Sequence, residues 1–215
     1  MLIETDRLII RDIALTDGET FIHMASDGSL NDIGFDKDSS SWMDDWIIEA
    51  QNLAREDNPR KSYLAYVIED KRTGSTIGSV GCSYYEDLQK VGITYFIGAD
   101  FRNNGYASEA TKAYISYFFE HYDENEIIAT IREDNVPSWK TIESVGFSFT
   151  EKKMYKDLND ANEVLYRFYL AKKRKYQIMC EERKRKMDIH IQLAEWSLFA
   201  SQAVHNLYII ATIQY

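Results

Sequence analysis

The order in which helical and strand-like segments follow one another constrains the fold of this chain more than any other feature. Apolar residues alternate with polar ones in some segments and recur near 3.6-residue spacing in others, in the order β-α-α-β-β-β-α-β-α-β-β. The predicted strands cover residues 7–13, 62–69, 75–85, 92–97, 126–132, 148–155 and 163–171, and the predicted helices cover 16–26, 40–55, 107–121 and 137–145. Helices that alternate with strands in the second half predict an α/β fold, with a mixed sheet and helices packed on its faces.

Composition limits the class of protein. The chain has 215 residues, of which 45% are hydrophobic and 28% are charged, which is typical of a globular protein. This length allows one large domain, or one domain and an extension. No uninterrupted apolar run of eighteen residues occurs, so no membrane span is predicted. The first thirteen residues, MLIETDRLIIRDI, carry acidic side chains where a signal peptide has an apolar block, and we therefore expect a cytoplasmic protein.

Charge and cysteine usage exclude further classes. The formal net charge of −10 argues against general nucleic-acid binding and favours cationic ligands. Any anion site must therefore be local, built from backbone groups and a few side chains. Cys82 and Cys180 have no metal-type spacing, which predicts reduced thiols that are buried or idle. No metal site is predicted.

The segment FRNNGYASEA, residues 101–110, joins a predicted strand to a predicted helix and favours an anion site. The N–H groups at a helix start have no internal partner, and the helix dipole favours negative charge there. Gly105 can adopt a positive φ, and Arg102 can add charge-assisted hydrogen bonds to phosphate oxygens. An ordinary turn is the alternative interpretation, since neither a P-loop nor a dinucleotide fingerprint is present. The other residues are small or tolerate left-handed conformations: Asn103, Asn104, Ala107 and Ser108.

Two motifs together resemble those of a known family. RNNGYA at residues 102–107 resembles the Arg/Gln-x-x-Gly-x-Gly/Ala signature of the GNAT superfamily of N-acetyltransferases. NVPS at residues 135–138, before a helix that ends in VGF at 145–147, is similar to the family's Asn-x-x-Ser/Ala…Gly-Phe segment. TDRLIIR at residues 5–11 and GYASEA at 105–110 most resemble the branch that contains ribosomal-protein alanine acetyltransferases.

The resemblance covers residues 1–171 and implies a GNAT acetyltransferase domain with a mostly antiparallel central sheet and helices on both faces. In that family the loop holds the pyrophosphate of acetyl-coenzyme A, and backbone N–H groups of the preceding strand bind the pantetheine arm. The residues that the resemblance assigns to cofactor binding are Phe96, Ile97, Arg102, Asn103, Asn104, Gly105, Tyr106, Ala107, Ser108, Asn135 and Ser138. The side chains of Tyr95, Phe96 and Ile97 can equally belong to the core, and Asn135 can equally cap the following helix.

The catalytic groups are less fixed than the cofactor loop. Many relatives carry a tyrosine general acid four residues before the Gly-Phe pair, and Ile142 occupies that place here. Ser138 is therefore the candidate proton donor to the leaving thiolate, with Tyr155 or water as alternatives. Glu109 is interpreted as a carboxylate that favours the helix start. The general base stays open among water and the carboxylates Glu86, Asp87, Asp32 and Asp36.

Two function classes remain. The first is an enzyme that transfers acetyl from acetyl-coenzyme A to a primary amine by direct attack in a ternary complex. Its acceptor stays open among a peptide N-terminus, a polyamine, an aminoglycoside and another small cationic amine. The second is an acetyl-coenzyme A-binding regulatory or interaction module without turnover.

Residues 172–215 form a predicted C-terminal helical extension. Basic residues concentrate at 172–175 and 183–186, which indicates either a nucleic-acid or ribosome patch or, as we prefer given the acidic whole, a solvated helix face. Residues 187–213 are rich in apolar side chains with polar ones interspersed, which excludes a simple membrane span. Such a segment packs back on the domain or joins a partner chain, and we expect a homo-oligomer.

Overall fold

The computed structural model of the chain describes residues 1–157, 160–182 and 185. It divides into two compact units, Met1–Lys173 and Arg174–Tyr215. The first unit contains the sheet and its helices. In the described part of the second unit, residues 174–182 are helical.

The predicted α/β fold class is confirmed, and every predicted strand and helix is present. The strands are β1 Leu2–Glu4, β2 Leu8–Asp12, β3 Tyr63–Asp70, β4 Ser75–Tyr85, β5 Lys90–Ile97, β6 Glu126–Arg132, β7 Ser148–Tyr155 and β8 Val164–Lys172. The helices of the first unit are α1 Gly18–Ala25, α2 Met43–Glu56, α3 Tyr106–His121 and α4 Val136–Ser144. Strand β1 was not predicted, because its three residues are too few to show a period of two.

The described strands form one eight-stranded sheet in the order β1-β2-β3-β4-β5-β6-β8-β7. All neighbouring pairs are antiparallel except β5 and β6, which are parallel and are connected through α3. A parallel pair requires a crossover connection, and α3 supplies it. The crossover places the N-terminus of α3 directly after the C-terminal end of β5.

Helices cover both faces of the sheet. Val67 in β3 belongs to the apolar cluster formed with α1 and α2, which includes the buried Phe21 and Ile47. Its neighbour Tyr66 packs against Tyr114 of α3, with ring centroids 5.9 Å apart. Because successive side chains of a strand point to opposite faces, α1 and α2 cover one face and α3 covers the other.

The extension is described only in part. Arg185 and Glu181 form an i,i+4 ion pair at 3.9 Å with exposed side chains, which fits the interpretation of a solvated helix face. The predicted self-association segment, residues 187–213, lies outside the described residues. Among the described residues, the chain forms no helix with the length and apolar character that a membrane crossing requires.

Candidate active site

The loop between β5 and α3 has a backbone arranged to bind an anion. Asn103 and Gly105 have positive φ angles of 63° and 77°, and Gly105 caps the N-terminus of α3. The first hydrogen bond of the helix runs from the Glu109 N–H to the Gly105 carbonyl, at 3.1 Å. The N–H groups of residues 106–108 therefore have no partner within the helix and, with the helix dipole, favour a negatively charged ligand.

Gly105 suits this place by its conformation and by its surroundings. A φ of 77° is left-handed, a region that side chains other than glycine's rarely adopt. Within 4 Å, a Cβ built at this position would meet a single atom, Nη2 of Arg7, at 3.5 Å. The space beside the loop is thus open to a ligand that approaches the backbone.

Two guanidinium groups flank the loop. Arg102 donates from Nε to the Ile97 carbonyl at 3.0 Å and from Nη2 to Oγ of Ser29 at 2.9 Å. Arg7 donates from Nη1 to the Asn104 carbonyl at 2.9 Å. Sequence analysis did not identify Arg7 as a site residue, because it lies 97 residues before Asn104 and only the fold brings the two together.

Glu109 in the first turn of α3 is held by neighbours and is not available as a base. Its carboxylate accepts hydrogen bonds from Oγ1 of Thr5 at 2.6 Å and from Nε of Arg7 at 2.7 Å. Burial opposes ionisation of this carboxyl, but the bonds from Thr5 and Arg7 outweigh it and hold the pKa of Glu109 below its usual value. The ion pair with Glu109 fixes the guanidinium of Arg7, which lies 4.7 Å from the ring centroid of Tyr106.

The side chains of two predicted cofactor residues bind protein groups. The Tyr106 hydroxyl donates to Oδ2 of Asp70 at 2.7 Å, and Oγ of Ser108 lies 3.3 Å from Oγ of Ser144 in α4. These contacts anchor the start of α3 to the β3–β4 turn and to α4. They leave the backbone N–H groups of both residues at the open helix end.

Strands β5 and β6 separate soon after they meet. Their parallel ladder contains one registered pair, Gly92 with Ile128, and no described strand pairs with the remaining C-terminal part of β5 on that side. On its other side β5 pairs with β4 up to Ile97. The C-terminal half of β5 therefore has one open backbone edge, which ends at the loop between β5 and α3.

The pairing with β4 tells which backbone groups face this opening. The Gly98 N–H donates to the Ile77 carbonyl in β4 at 2.9 Å. Successive residues of a strand direct their backbone groups to opposite sides. The N–H and C=O groups of Phe96 therefore face β4, and those of Tyr95 and Ile97 face the opening. The Ile97 carbonyl, which Arg102 binds, agrees with this direction. Ile97 thus presents its N–H at the open edge, as Tyr95 does, and the cofactor role of Phe96 stays a prediction.

Tyr95 and Ser138 meet across this opening. The Tyr95 hydroxyl lies 2.8 Å from Oγ of Ser138 and donates to the Ser138 carbonyl at 2.9 Å. Burial raises the pKa of Tyr95 to about 12, against the opposing effect of the bonds with Ser138. Asn135 caps α4, since its Oδ1 accepts the Ser138 N–H at 3.2 Å, and its contact with the cofactor stays a prediction. The sequence left open whether the Tyr95 side chain belongs to the core, and this contact was not predicted.

Neither Ile142 nor Tyr155 makes the contact that Ser138 makes with Tyr95. Ile142 is fully buried and has no ionisable group. The Tyr155 hydroxyl donates to Oδ1 of Asp87 at 3.3 Å, and its pKa is raised first by burial and then by this carboxylate. Tyr155 is therefore bonded to a carboxylate that follows β4, while the hydroxyl groups of Ser138 and Tyr95 contact each other.

A cavity of about 900 Å³ lies on the sheet face covered by α1 and α2. Its floor is made of small side chains, its walls are largely aromatic, and it includes the open part of β5. The floor comprises Ala65, Ser79, Ser83 and Thr94, and the aromatic lining comprises Phe35, Trp46, Tyr63, Tyr84, Tyr85, Tyr95, Phe96, Tyr155 and Tyr166. A cavity of this size matches small-molecule sites in other proteins.

Four carboxylates line the same cavity. Glu86 and Asp87, two of the predicted base candidates, are among them, together with Asp157 and Asp160. Asp36, another candidate, accepts the Asp38 N–H at 2.9 Å on the surface. Asp157 and Asp160 were not predicted, because nothing in the local pattern of the β7–β8 loop indicates that it reaches the β4–β5 turn.

Cys82 does not line this cavity. Cys82 is fully buried, and burial raises the pKa of its thiol to about 12. A thiol of this kind is a poor nucleophile at neutral pH. This agrees with direct transfer of the acetyl group, without an acyl-cysteine intermediate.

Comparison with known proteins agrees with this geometry. The family model described as an acetyltransferase (GNAT) domain matches residues 7–148. The chain belongs to the GNAT family of acetyltransferases. It is 26% identical over 151 residues to the uncharacterized N-acetyltransferase YnaD of Bacillus subtilis (strain 168), an alignment that covers 68% of this chain and 82% of YnaD.

Solved GNAT structures share the fold. The ribosomal-protein-S5-alanine acetyltransferase from Vibrio fischeri superimposes with a TM-score of 0.65 and 17% identity, over 82% of this chain and 98% of its own. RimL, the ribosomal L7/L12 alpha-N-protein acetyltransferase, was solved in complex with coenzyme A. It gives a TM-score of 0.67 and 13% identity, over 80% of this chain and 98% of RimL. The predicted family is thus confirmed, and this GNAT acetyltransferase has ribosomal-protein acetyltransferases among its structural neighbours.

Proposed function

We propose that this acetyltransferase moves the acetyl group of acetyl-coenzyme A to a primary amine by direct attack in a ternary complex. The observation that carries the proposal is the open edge of β5. It runs from the helix end with free N–H groups, passes the Tyr95–Ser138 pair, and borders a cavity that can admit an acceptor.

The loop and the edge suit the two parts of the cofactor. Its pyrophosphate is assigned to the N–H groups of residues 106–108, with Arg102 supplying charge-assisted hydrogen bonds. The pantetheine amides are assigned to the open backbone groups of β5, as a peptide strand would bind a sheet edge. RimL, with the same fold, binds coenzyme A, which supports this assignment.

The residues at the centre can each perform one step of the transfer. The backbone N–H groups of β5 stabilise the oxyanion that forms when the amine attacks the thioester carbon. The hydroxyl of Ser138 donates its proton to the leaving sulfur as the C–S bond breaks and regains a proton from solvent. The amine must lose its proton before it attacks, either to water or through a chain of waters to a carboxylate.

The proposal extends to the organisation of the chain. We assign residues 1–171 to the acetyltransferase domain, and a helical extension over residues 172–215 stays a prediction. A cytoplasmic location and self-association through residues 187–213 stay predictions.

Two measurements on the purified full chain test the activity. Calorimetric titration with acetyl-coenzyme A measures binding, and a thiol-release assay with a panel of amines and peptides measures turnover. The proposal expects binding and amine-dependent release of coenzyme A. Binding without release by any acceptor would favour the regulatory module, and absence of binding would contradict both.

A further inference from the structure

The cavity beside β5 has two chemically different sides. One side is aromatic: Phe35 packs against Trp46 and Phe96, with ring centroids 5.1 Å and 5.3 Å apart. The other side carries the four carboxylates of Glu86, Asp87, Asp157 and Asp160. An acceptor that fills this cavity therefore meets an apolar surface and a negatively charged one.

The carboxylates come from two loops that a hydrogen bond joins. Glu86 and Asp87 follow β4, Asp157 and Asp160 follow β7, and the Tyr155 hydroxyl connects the loops through Oδ1 of Asp87. The lining also contains two lysines. Of these, Lys61 forms an ion pair with Glu56, which is not part of the lining, and Lys156 is exposed. Asp160 is already paired, since its Oδ1 lies 3.8 Å from Nη1 of Arg132 and its Oδ2 accepts the Tyr166 hydroxyl at 2.7 Å. The exposed Glu86 and Asp87 leave this side of the lining negatively charged, which attracts a cation.

A single amine cannot use both sides at once. A carboxylate beside an amine stabilises its ammonium form, and an ammonium nitrogen has no lone pair with which to attack. The attacking nitrogen has to reach the open edge of β5. The lining residues there are Thr94, Tyr95 and Phe96, and none of them carries a charge. Glu86 and Asp87, which are exposed, can then bind a different, charged group of the same acceptor.

We propose that the acceptor is a small diamine or polyamine with an apolar linker. One nitrogen lies uncharged at the edge of β5 and is acetylated, while a second, protonated nitrogen lies beside Glu86 and Asp87. The linker packs on the aromatic side, where a cation also gains from nearby rings. This inference rests on the proposed acetyl transfer and names the acceptor class for that same cavity.

Matched acceptors test the inference on the full chain. We expect kcat/KM for 1,4-diaminobutane or spermidine to exceed that for n-butylamine by at least ~10-fold, because these probes add a charged nitrogen to a similar apolar chain. Short peptides with a free N-terminus and no lysine serve as the protein-like alternative. Equal or better turnover of n-butylamine or of the peptides would overturn the inference while leaving acetyl transfer intact. If none of these acceptors causes release of coenzyme A, the proposed acetyl transfer itself is refuted.

Charge-removing variants locate the second nitrogen. Asp87→Asn and Glu86→Gln each alter an exposed side chain, so the fold should persist. Each should lower the diamine preference over n-butylamine at least ~3-fold. Glu120→Gln removes one charge from α3, outside the cavity lining, and should leave the preference unchanged. An equal fall for both acceptors in Asp87→Asn and Glu86→Gln would instead indicate a general base and would overturn the role assigned here.

Discussion

Replacing Ser138 by alanine removes the hydroxyl that we place at the leaving sulfur. A positioned general acid contributes ~10²–10⁴-fold, so kcat should fall by that factor, or about 3–5 kcal/mol. The fold should lose far less. Asn135 still caps the backbone N–H of residue 138, and the Tyr95 hydroxyl keeps its bond to the carbonyl at 2.9 Å. One lost neutral hydrogen bond costs about 0.5–1.5 kcal/mol.

These two magnitudes are far enough apart for one set of assays to separate them. Thiol release at saturating amine and acetyl-coenzyme A gives kcat, calorimetry gives the coenzyme affinity, and thermal unfolding gives the stability. We expect a large fall in kcat with nearly unchanged affinity, because the loop at residues 102–108 is untouched. A fall below about tenfold would assign the proton to water, and weaker binding with normal kcat would reduce Ser138 to a structural role.

Three further changes test the surroundings of the site. Gly105→Asp places a side chain and a negative charge where we assign the pyrophosphate. Calorimetry should show binding of acetyl-coenzyme A weakened at least ~30-fold, about 2 kcal/mol. Unchanged affinity in a folded variant would refute the loop assignment. Tyr95→Phe keeps the ring but frees Ser138, so kcat should fall about tenfold with little change in KM for the cofactor, and an unchanged kcat would show that the hydroxyl only supports packing. Glu109 has a lowered pKa in the fold, so the stability that it contributes is present above its unfolded pKa and is lost as pH falls through the folded pKa. The unfolding free energy of Glu109→Gln should therefore lie below that of the unchanged chain at pH 7 and converge with it under acidic conditions, and a constant difference across pH would contradict this linkage.

Local patterns were sufficient for most of the fold. The long helices and strands show clear periods of 3.6 or 2, so their existence could be predicted before any contact was known. The cofactor loop was also accessible, because its glycine, its arginine and the helix start are consecutive in sequence. Strand β1 escaped, since its pairing with β2 and not its own three residues defines it.

The parts that could not be predicted depend on distant contacts. Arg7 reaches the loop because β2 lies beside the start of α3, and Tyr95 reaches Ser138 because the β5-α3-β6 crossover places α4 beside β5. An alternating strand residue such as Tyr95 looks like core whichever group it contacts. The carboxylates of the β7–β8 loop meet those after β4 only in the fold, where the Tyr155 hydroxyl donates to Oδ1 of Asp87.

The most direct test of the account is the rate of coenzyme A release by the unaltered chain, measured at fixed acetyl-coenzyme A against rising concentrations of 1,4-diaminobutane. Acetyl transfer at the open edge of β5 predicts a rate that rises and saturates with the amine, well above the rate of thioester hydrolysis without it. A chain that binds acetyl-coenzyme A, yet releases no thiol in response to this amine or to any other acceptor, would contradict the central claim.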